Sequence, residues 1–207
     1  MKKLILLSVA FFLVSCEAST DNNDPSLNNL TPGLGSTYVI NSHQGNDSVM
    51  TLTVAAILPQ HMGRDKVIQM DMADGESSLF LDHEADGDIS FISGSADDWV
   101  TLPVASRNTI VHDPQRKDHS SGHNITDYKA IPKGVQPLTI EGKNFSSIVS
   151  ELQSVRKFYD LDGQLQDTRT WTEEFYWIPQ LGFFGRTTYL SGTDTDVYDL
   201  VEYTLLP

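Results

Sequence analysis

Carboxylate side chains are concentrated in one short segment of the chain, residues 82–88. Asp82, Glu84 and Asp86 stand at positions 1, 3 and 5 of a calcium-loop frame, with a glycine at position 6 and an isoleucine at position 8. Hard cations such as Ca²⁺ prefer this density of oxygen ligands. With Asp88 as a fourth ligand, the segment predicts a calcium site built from Asp82, Glu84, Asp86 and Asp88.

The same acidic segment also has a structural interpretation. Position 12 of the frame, where a calcium loop carries a bidentate glutamate, is Ser93, and the flanking sequence alternates as strands do. An acidic turn that joins two strands accounts for the same residues. Calcium is the one cofactor that the sequence suggests. An acidic turn without a metal is the alternative interpretation of this segment.

Three histidines, His112, His119 and His123, fall within one polar segment. The four-residue spacing of the last two suits zinc only on a helix, and the surrounding Asp, Ser, Lys and Gly residues do not indicate a helix. The default prediction is a long exposed loop. Because long loops often host binding, the segment is a candidate recognition surface.

The sequence lacks the motifs of common hydrolases: it has no Gly-x-Ser-x-Gly elbow and no His-Glu-x-x-His helix. The adjacent acids Glu173 and Glu174 would point to opposite faces of a strand, so they cannot act together on one atom. Trp171, Phe175 and Trp177 share one face of the same segment. They are predicted either to pack a core or to line a pocket for an apolar or sugar ligand.

Strands must position these candidate residues. Apolar residues alternate with polar ones along Met50–Leu58 and Ile68–Met72, which is the period of a strand and not of a helix. Similar short runs, separated by Gly, Asp and Pro, occur at Leu79–Leu81, Ile89–Ile92, Trp99–Val104, Asp127–Ile131 and Leu138–Ile140. The pattern predicts an all-β fold, either an antiparallel open barrel or a sandwich.

The last third of the chain predicts a four-strand meander. Its strands are Ser146–Tyr159, Leu165–Ile178, Phe183–Leu190 and Val197–Leu206. The first two are separated by Asp160–Gly163, whose Asp and Gly residues suit a tight hairpin.

The end of this meander resembles a group of uncharacterised, β-rich bacterial outer-membrane lipoproteins. Their pattern is an aromatic strand, a Pro-x-Leu-Gly turn and a last strand of the Glu-Leu-Val-x-Tyr type, and it is similar to Tyr176–Gly182 and Asp199–Tyr203. The resemblance covers residues 138–206 and implies an open barrel distantly similar to lipoprotein carriers that shield acyl chains. The segment Ile140–Phe145 departs from the Pro-Ala-Gly-Thr-Phe entry of such proteins, and no helices are predicted to cover the barrel as in the carriers.

The first fifteen residues predict a lipoprotein signal peptide. Lys2 and Lys3 precede an apolar run, Leu4–Val14, that spans roughly half of the membrane core, which is about 30 Å thick. The run ends in Leu-Val-Ser-Cys, which resembles the lipobox of bacterial lipoproteins. That resemblance implies cleavage before Cys16 and acylation, including palmitate, on Cys16.

Two features around Cys16 extend this prediction. Cys16 is the only cysteine in the chain, so the domain cannot hold an internal disulfide. Glu17 follows it where an aspartate would favour the inner membrane, so the outer membrane is expected, with the periplasmic and exterior faces both open. An ordinary secreted protein is the alternative.

The domain organisation follows from composition. Residues 16–35 are polar, with isolated leucines, and predict a lipidated cysteine and a flexible tether. Residues 36–207 contain no second linker of this kind and predict a single β-rich domain.

The charge of the chain restricts its partners. It has 14 basic and 28 acidic residues, a formal net charge of −14. This excess excludes nucleic acid as an expected partner, and it leaves membrane attachment to the acyl chains on Cys16. The remaining partners are an apolar small molecule or an envelope protein.

Three functions remain open for a lipid-anchored domain of the cell envelope. They are a ligand- or partner-binding module, a hydrolase that uses carboxylates, and a structural or adhesive surface protein. A pocket with two converging carboxylates would favour the hydrolase, and an apolar cavity would favour the binder. A filled core with a flat polar face would favour the adhesive role.

Overall fold

The computed structural model describes residues 29–43, 48–73, 75, 77–93 and 98–207. Within this part of the chain every regular element is a strand, and no helix could span a membrane. The strands are β1 (Thr37–Ser42), β2 (Ser48–His61), β3 (Arg64–Met72), β4 (Ser78–His83), β5 (Ile89–Ser93), β6 (Val100–Leu102), β7 (Ile110–Val111), β8 (Gln115–His119), β9 (Gly122–Ile140), β10 (Lys143–Tyr159), β11 (Leu165–Ile178), β12 (Phe183–Ser191) and β13 (Asp194–Thr204).

The strands form one antiparallel sheet that curls into a nearly closed barrel, which confirms the predicted all-β class. The order is β6-β5-β4-β3-β2-β1-β13-β12-β11-β10-β9-β7, and β8 adds to β9 outside this path. The pairing of β1 with β13 joins the two ends of the chain, with Tyr38 opposite Tyr203. The two halves of the sheet therefore meet at the chain termini, and the predicted meander β10–β13 is confirmed.

The barrel has a seam between β6 and the β7–β9 edge. The two edges of the seam have no backbone pairing with each other in the described residues, and side-chain hydrogen bonds connect them. The His112 Nε2 group bonds the carbonyl oxygen of Thr101 at 3.0 Å, and the Ser150 hydroxyl donates to the carbonyl of Pro103 at 3.1 Å. The seam is thus bridged by side chains, and the barrel is nearly closed.

The inner face of the barrel holds the main hydrophobic core. Tyr38 is fully buried, stacks on Phe183 with ring centroids 4.3 Å apart, and donates its hydroxyl to the carbonyl of Leu181 at 2.8 Å. That carbonyl belongs to the turn between β11 and β12, where Gly182 has a φ of 61°. A side chain on Gly182 would overlap the carbonyl of Leu30, so this turn requires glycine.

A second, smaller cluster covers the outer face of β2–β5. We call it the outer cluster; it contains Leu58, Val67, Phe80, Ile92 and Trp99. The Trp99 indole donates to a backbone carbonyl at 3.2 Å, which fixes the ring over these strands. This half of the sheet is therefore packed on both faces.

The opposite half extends beyond the barrel. Residues 165–171 of β11 pair with β10 only, because the ladder with β12 begins at Thr172. Residues 115–127 and 155–171 together form a four-stranded extension, which we call the arm. The hairpin at its end follows the prediction, since the Asp160 carboxylate accepts backbone N–H bonds from Asp162 and Gln164.

Strand β9 differs from its prediction. The sequence predicted two strands, Asp127–Ile131 and Leu138–Ile140, because prolines and a glycine stand between them. The structure has a single strand with a register shift near Pro132. The prolines are tolerated because β9 pairs beyond this point with β10 only, so its other edge needs no N–H donor.

The segment before β1 lies against the barrel. The Leu30 amide donates to the carbonyl of Pro179 at 2.9 Å, and the Trp177 indole donates to the Asn29 side chain at 2.9 Å. These residues belong to the predicted tether, whose boundary at residue 35 stays a prediction. The predicted signal peptide, Cys16 and the first part of the tether lie outside the described residues.

Candidate ligand-binding site

An apolar cavity of about 250 Å³ lies inside the barrel. Strands from both halves of the sheet contribute to it, and we call it the barrel cavity. Most of its lining is aliphatic, aromatic or methionine side chain, as in many sites for small apolar ligands. The lining residues are Ile40, Met50, Leu52, Met72, Ser78, Leu79, Phe91, Glu173, Phe175, Phe183, Phe184, Thr187, Tyr198 and Leu200.

Glu173 is the one carboxylate among the described residues that line the barrel cavity. The alternation of β11 turns it inward, between Trp171 and Phe175 on the same face. The Trp171 indole donates to its Oε2 atom at 3.2 Å, and no described Lys or Arg forms an ion pair with it. Burial raises the pKa of Glu173 above its ordinary value, and the bond from Trp171 offsets only part of this. The site therefore offers a carboxyl group that holds its proton more tightly than an exposed one does.

The three predicted aromatic residues share the inner face but occupy different places. Phe175 lines the barrel cavity. Trp171 lies at the arm end, with the Arg156 guanidinium 5.1 Å from its ring. Trp177 is fully buried against Phe184, with ring centroids 5.2 Å apart, and does not line the cavity. Their role in ligand binding stays a prediction, with Phe175 as the one that meets the cavity.

Glu173 was not selected from the sequence as a site residue. The signal in the sequence was its position, because it is the only charged residue between Trp171 and Trp177 on the face that carries these aromatic side chains. The remaining lining residues come from strands far apart in the chain. Their convergence depends on the β1–β13 pairing, which the sequence did not reveal.

The acidic segment forms the predicted turn between two strands, and its carboxylates have protein partners. The Arg64 guanidinium donates to Asp82 and to Glu84, both at 2.8 Å. Glu84 also accepts bonds from Ser90 and Thr101. Burial raises the pKa of Glu84, but these donors and Arg64 outweigh it, so the pKa lies below its ordinary value.

The other two carboxylates of the segment bind backbone groups. Asp86 accepts the amide of Asp88 at 3.1 Å. Asp88 is buried, and it accepts the amides of Ala105 and Ser106 at 2.8 Å each, which secures the loop after β6. Among the described residues no three His, Cys, Asp or Glu side chains gather as a metal site would require. The calcium site stays a prediction.

The three histidines of the predicted loop separate from one another. His112 bonds across the seam, His119 contacts the Asn124 side chain at 2.8 Å, and His123 stacks on Tyr159 with ring centroids 4.9 Å apart. The prediction of one long loop was wrong, because residues 115–119 form β8 and return through a tight turn into β9. The alternating Arg, Asp and His residues of β8 are not apolar, so they gave no strand pattern.

His83 is the most unusual buried polar group near the barrel core. Its ring meets Trp177 edge-on, with centroids 5.5 Å apart, and its Nε2 atom is buried without a described partner. Burial lowers its pKa to about 4. The imidazole is therefore neutral at physiological pH, and it packs against the core at Trp177.

These features define an antiparallel, nearly closed β-barrel with an apolar cavity beside a buried carboxyl group. No protein-family model and no curated protein sequence matches the chain. A candidate lipoprotein from Parabacteroides distasonis ATCC 8503, known from a crystal structure at 2.70 Å, has the same fold. Its TM-score is 0.57 at 11% identity, over 84% of this chain and 97% of that one.

A second solved structure is more remote. The hypothetical lipoprotein YmcC from Escherichia coli (K12) is 12% identical, over 90% of this chain and 92% of that one, with a TM-score of 0.39. The Parabacteroides structure establishes a shared barrel fold. The resemblance of the C-terminal motif to outer-membrane lipoproteins stays a prediction.

Proposed function

We propose that this chain is a lipid-anchored barrel of the cell envelope that binds a small apolar ligand in the barrel cavity. The observation that carries the proposal is the apolar cavity of about 250 Å³ with one buried carboxyl group, Glu173, in its lining. When a ligand replaces water at an apolar surface of this kind, the free energy of the system falls, which favours binding.

The lining favours a binder over a hydrolase. General acid and base catalysis on a glycoside or ester needs two groups that converge on the reacting atoms. Glu173 stands without a second carboxylate among the described lining residues, and Glu174 lies on the outer face, where it accepts a bond from Tyr176. One carboxyl group is sufficient to orient a ligand.

The chemistry of the cavity restricts the ligand. Its body must be apolar, and its polar group must hydrogen-bond a carboxyl group without carrying a negative charge, because a second carboxylate would repel the ionised form of Glu173. A hydroxyl or an amine meets both conditions. The acidic excess of the whole chain disfavours anions in the same sense. Long-chain alkyl alcohols and alkyl amines satisfy these conditions.

The ligand proposal is tested with a soluble chain of residues 17–207, which keeps every described residue. An uncharged fluorescent probe, N-phenyl-1-naphthylamine, should bind with a saturable increase in emission. Thr187→Phe fills the cavity from its lining and should weaken probe binding at least about tenfold, the effect expected when an apolar pocket is blocked. Thr188→Phe adds the same ring to the opposite face of β12 and should leave binding unchanged.

Competition tests the polar end of the ligand. Decylamine and decanol should displace the probe at lower concentration than decanoate, and Glu173→Gln should remove their advantage over decanoate. Equal displacement by all three in the unsubstituted chain would contradict the role of Glu173. Equal probe binding by the two phenylalanine variants would contradict the cavity itself.

The lipid anchor is a separate part of the proposal, supported by the Leu-Val-Ser-Cys sequence and by the barrel shared with the Parabacteroides protein. Radioactive palmitate should label the full chain in bacterial cells, and fractionation should recover it with the outer membrane. Cys16→Ala should lose both the label and the membrane association. A variant that is still labelled and membrane-bound would contradict the anchor.

A further inference from the structure

The arm presents an unpaired strand edge. Residues 165–170 of β11 are all exposed, and Leu165 alone leaves 55% of its surface accessible. Their inner edge pairs with β10, whereas no described strand pairs with their outer edge. The Thr168 amide donates at 2.8 Å to the carboxylate of the adjacent Asp167, a local bond that pairing through this amide would replace. Such an edge carries a row of backbone donors and acceptors that can accept another strand.

The sequence of this edge is complementary to itself. When two copies of residues 165–171 are laid antiparallel about Thr168, Asp167 of each copy stands opposite Arg169 of the other. Thr168 stands opposite Thr168. The ladder with β10 is interrupted at Gln166, between Leu165 and Asp167, so the regular part of the edge begins at Asp167. Opposite charges directly across antiparallel strands stabilise the pairing, and like charges destabilise it.

The charges of the arm also favour a second copy of the chain as the partner. The whole chain has twice as many acidic as basic residues, so two copies repel each other over most of their surface. The arm differs, because its residues 115–127 and 155–171 contain five basic and five acidic side chains. It is therefore a surface on which two copies can meet without a net repulsion.

The edge charges also select one register. Asp167 and Arg169 form an ion pair at 2.9 Å within the chain, with side chains 51% and 70% exposed. Charged residues on an edge normally discourage pairing with other strands. Here a shift of the second copy by two residues places a like charge or an uncharged residue opposite each charged side chain. Only the register centred on Thr168 places an opposite charge across from both Asp167 and Arg169.

We propose that the chain forms a two-fold symmetric dimer through antiparallel pairing of β11 about Thr168, with the second copy as the partner. Both copies use the same surface, as an isologous interface requires. Strand β11 also runs in opposite directions in the two copies. Asn29 lies near the β11–β12 turn in each copy, so the two Asn29 residues lie at opposite ends of the dimer.

Disulfide trapping in membranes of cells that make the full chain tests the pairing. The proposed symmetry places the two Thr168 residues directly opposite, about 5 Å apart at Cα, whereas two Thr170 residues would lie about 14 Å apart. Copper-phenanthroline oxidation of Thr168→Cys should give a covalent dimer on a non-reducing gel. Thr170→Cys, at a second exposed threonine on the same face, should give at least about tenfold less, because disulfides need Cα atoms within about 7 Å.

The controls make each outcome decisive. The unsubstituted chain has only Cys16 and gives the background, and a maleimide label checks that each new thiol is reactive. Equal yields from the two variants would overturn the proposal. So would a reactive Thr168→Cys thiol that forms no dimer, or one that joins a protein of another mass.

A charge exchange tests the register. In the Thr168→Cys background, Asp167→Arg should lower the dimer yield about tenfold, because it places arginines opposite one another twice in the symmetric pair. Adding Arg169→Asp restores opposite charges and should restore the yield. A double variant that stays as low as the single one would overturn the register, since both changes are on exposed side chains that the monomer does not need for its core.

Discussion

The two halves of the barrel sheet differ in how their outer surfaces are covered. Strands β2–β5 are covered on the outside by the outer cluster, where His61 stacks on Phe80 at 4.1 Å and the Arg64 guanidinium lies 4.8 Å from the Trp99 ring. Strands β9–β11 instead continue past the barrel as the arm. The outer edge of residues 165–170 is exposed there, and most of the charged side chains reach solvent.

The charged side chains of the two halves therefore differ in their contribution to stability, although both halves belong to one continuous sheet. In the first half, charged groups such as Arg64, Asp82 and Glu84 are bonded to one another and partly buried. In the arm, the pairs Arg116 with Asp118 and Arg169 with Asp167 are local and more than half exposed. Exposed pairs of this kind contribute little to folding, so the arm's side chains are available for recognition.

The largest expected effect compares two tryptophans on the same face of β11. Trp177 is fully buried, so Trp177→Ala should lower the free energy of unfolding by about 4 kcal/mol, the usual cost of removing a large core side chain. Trp171 is only partly buried beneath Arg156, and Trp171→Ala should cost about 1 kcal/mol. Urea unfolding of both variants measures the difference, and equal losses would contradict the division between barrel and arm.

The next comparison uses two arginines. Arg64→Met leaves the partly buried carboxylates of Asp82 and Glu84 without their cation and should lower the free energy of unfolding by about 2 kcal/mol. Arg169→Met removes an exposed pair at the arm and should change stability little. If both substitutions proved neutral in urea unfolding, the Arg64 network would not be a stabilising element of the first half.

Acid should weaken the barrel through His83. Its pKa is about 4 in the folded chain against an ordinary 6.5, so the unfolded chain binds the extra proton first and stability falls as the pH drops from 6.5 to 4. The loss attributable to this group is at most about 3 kcal/mol. His83→Phe should flatten the pH dependence of the melting temperature in this window, although burial also lowers the pKa of His112 and leaves some slope. An unchanged slope would contradict the assignment to His83.

The smallest expected effect concerns Glu173. Its pKa is raised in the folded chain, so ionisation destabilises the fold as the pH rises above the ordinary value. Glu173→Gln should therefore raise the melting temperature at pH 8 and have no such effect at pH 4. Glu174→Gln removes a carboxylate from the outer face of the same strand and should not stabilise. A Glu173→Gln variant that melts lower than the parent at pH 8 would contradict a buried carboxyl group without a cation partner.

Local patterns in the sequence predicted most of the fold. Alternation along β2, β3 and β11 and the Asp160–Gly163 turn depend on neighbouring residues, and these features agree with the structure. Strand β8 could not be found, because its stability comes from pairing with β9 and not from an apolar face. Strand β9 was divided, because a proline is harmless only on an edge, and sequence does not reveal which strands lie at edges.

The candidate site was less predictable than the strands. The inward face with Phe175 was visible in the sequence, but the cavity depends on how β1 and β13 bring both halves of the sheet together. Glu173 appeared only as half of an acid pair. Its burial is a property of the closed barrel, since residues as distant as Met50 and Tyr198 complete the apolar lining.

We expect the barrel cavity to hold an apolar ligand. Native mass spectrometry of the soluble chain of residues 17–207, exported to the periplasm and purified without detergent, tests this expectation most directly. The spectrum should contain a population heavier than the chain by one small molecule, absent from Thr187→Phe and retained by Thr188→Phe. The bare chain mass in all three proteins, with no binding of added decylamine or decanol, would contradict it.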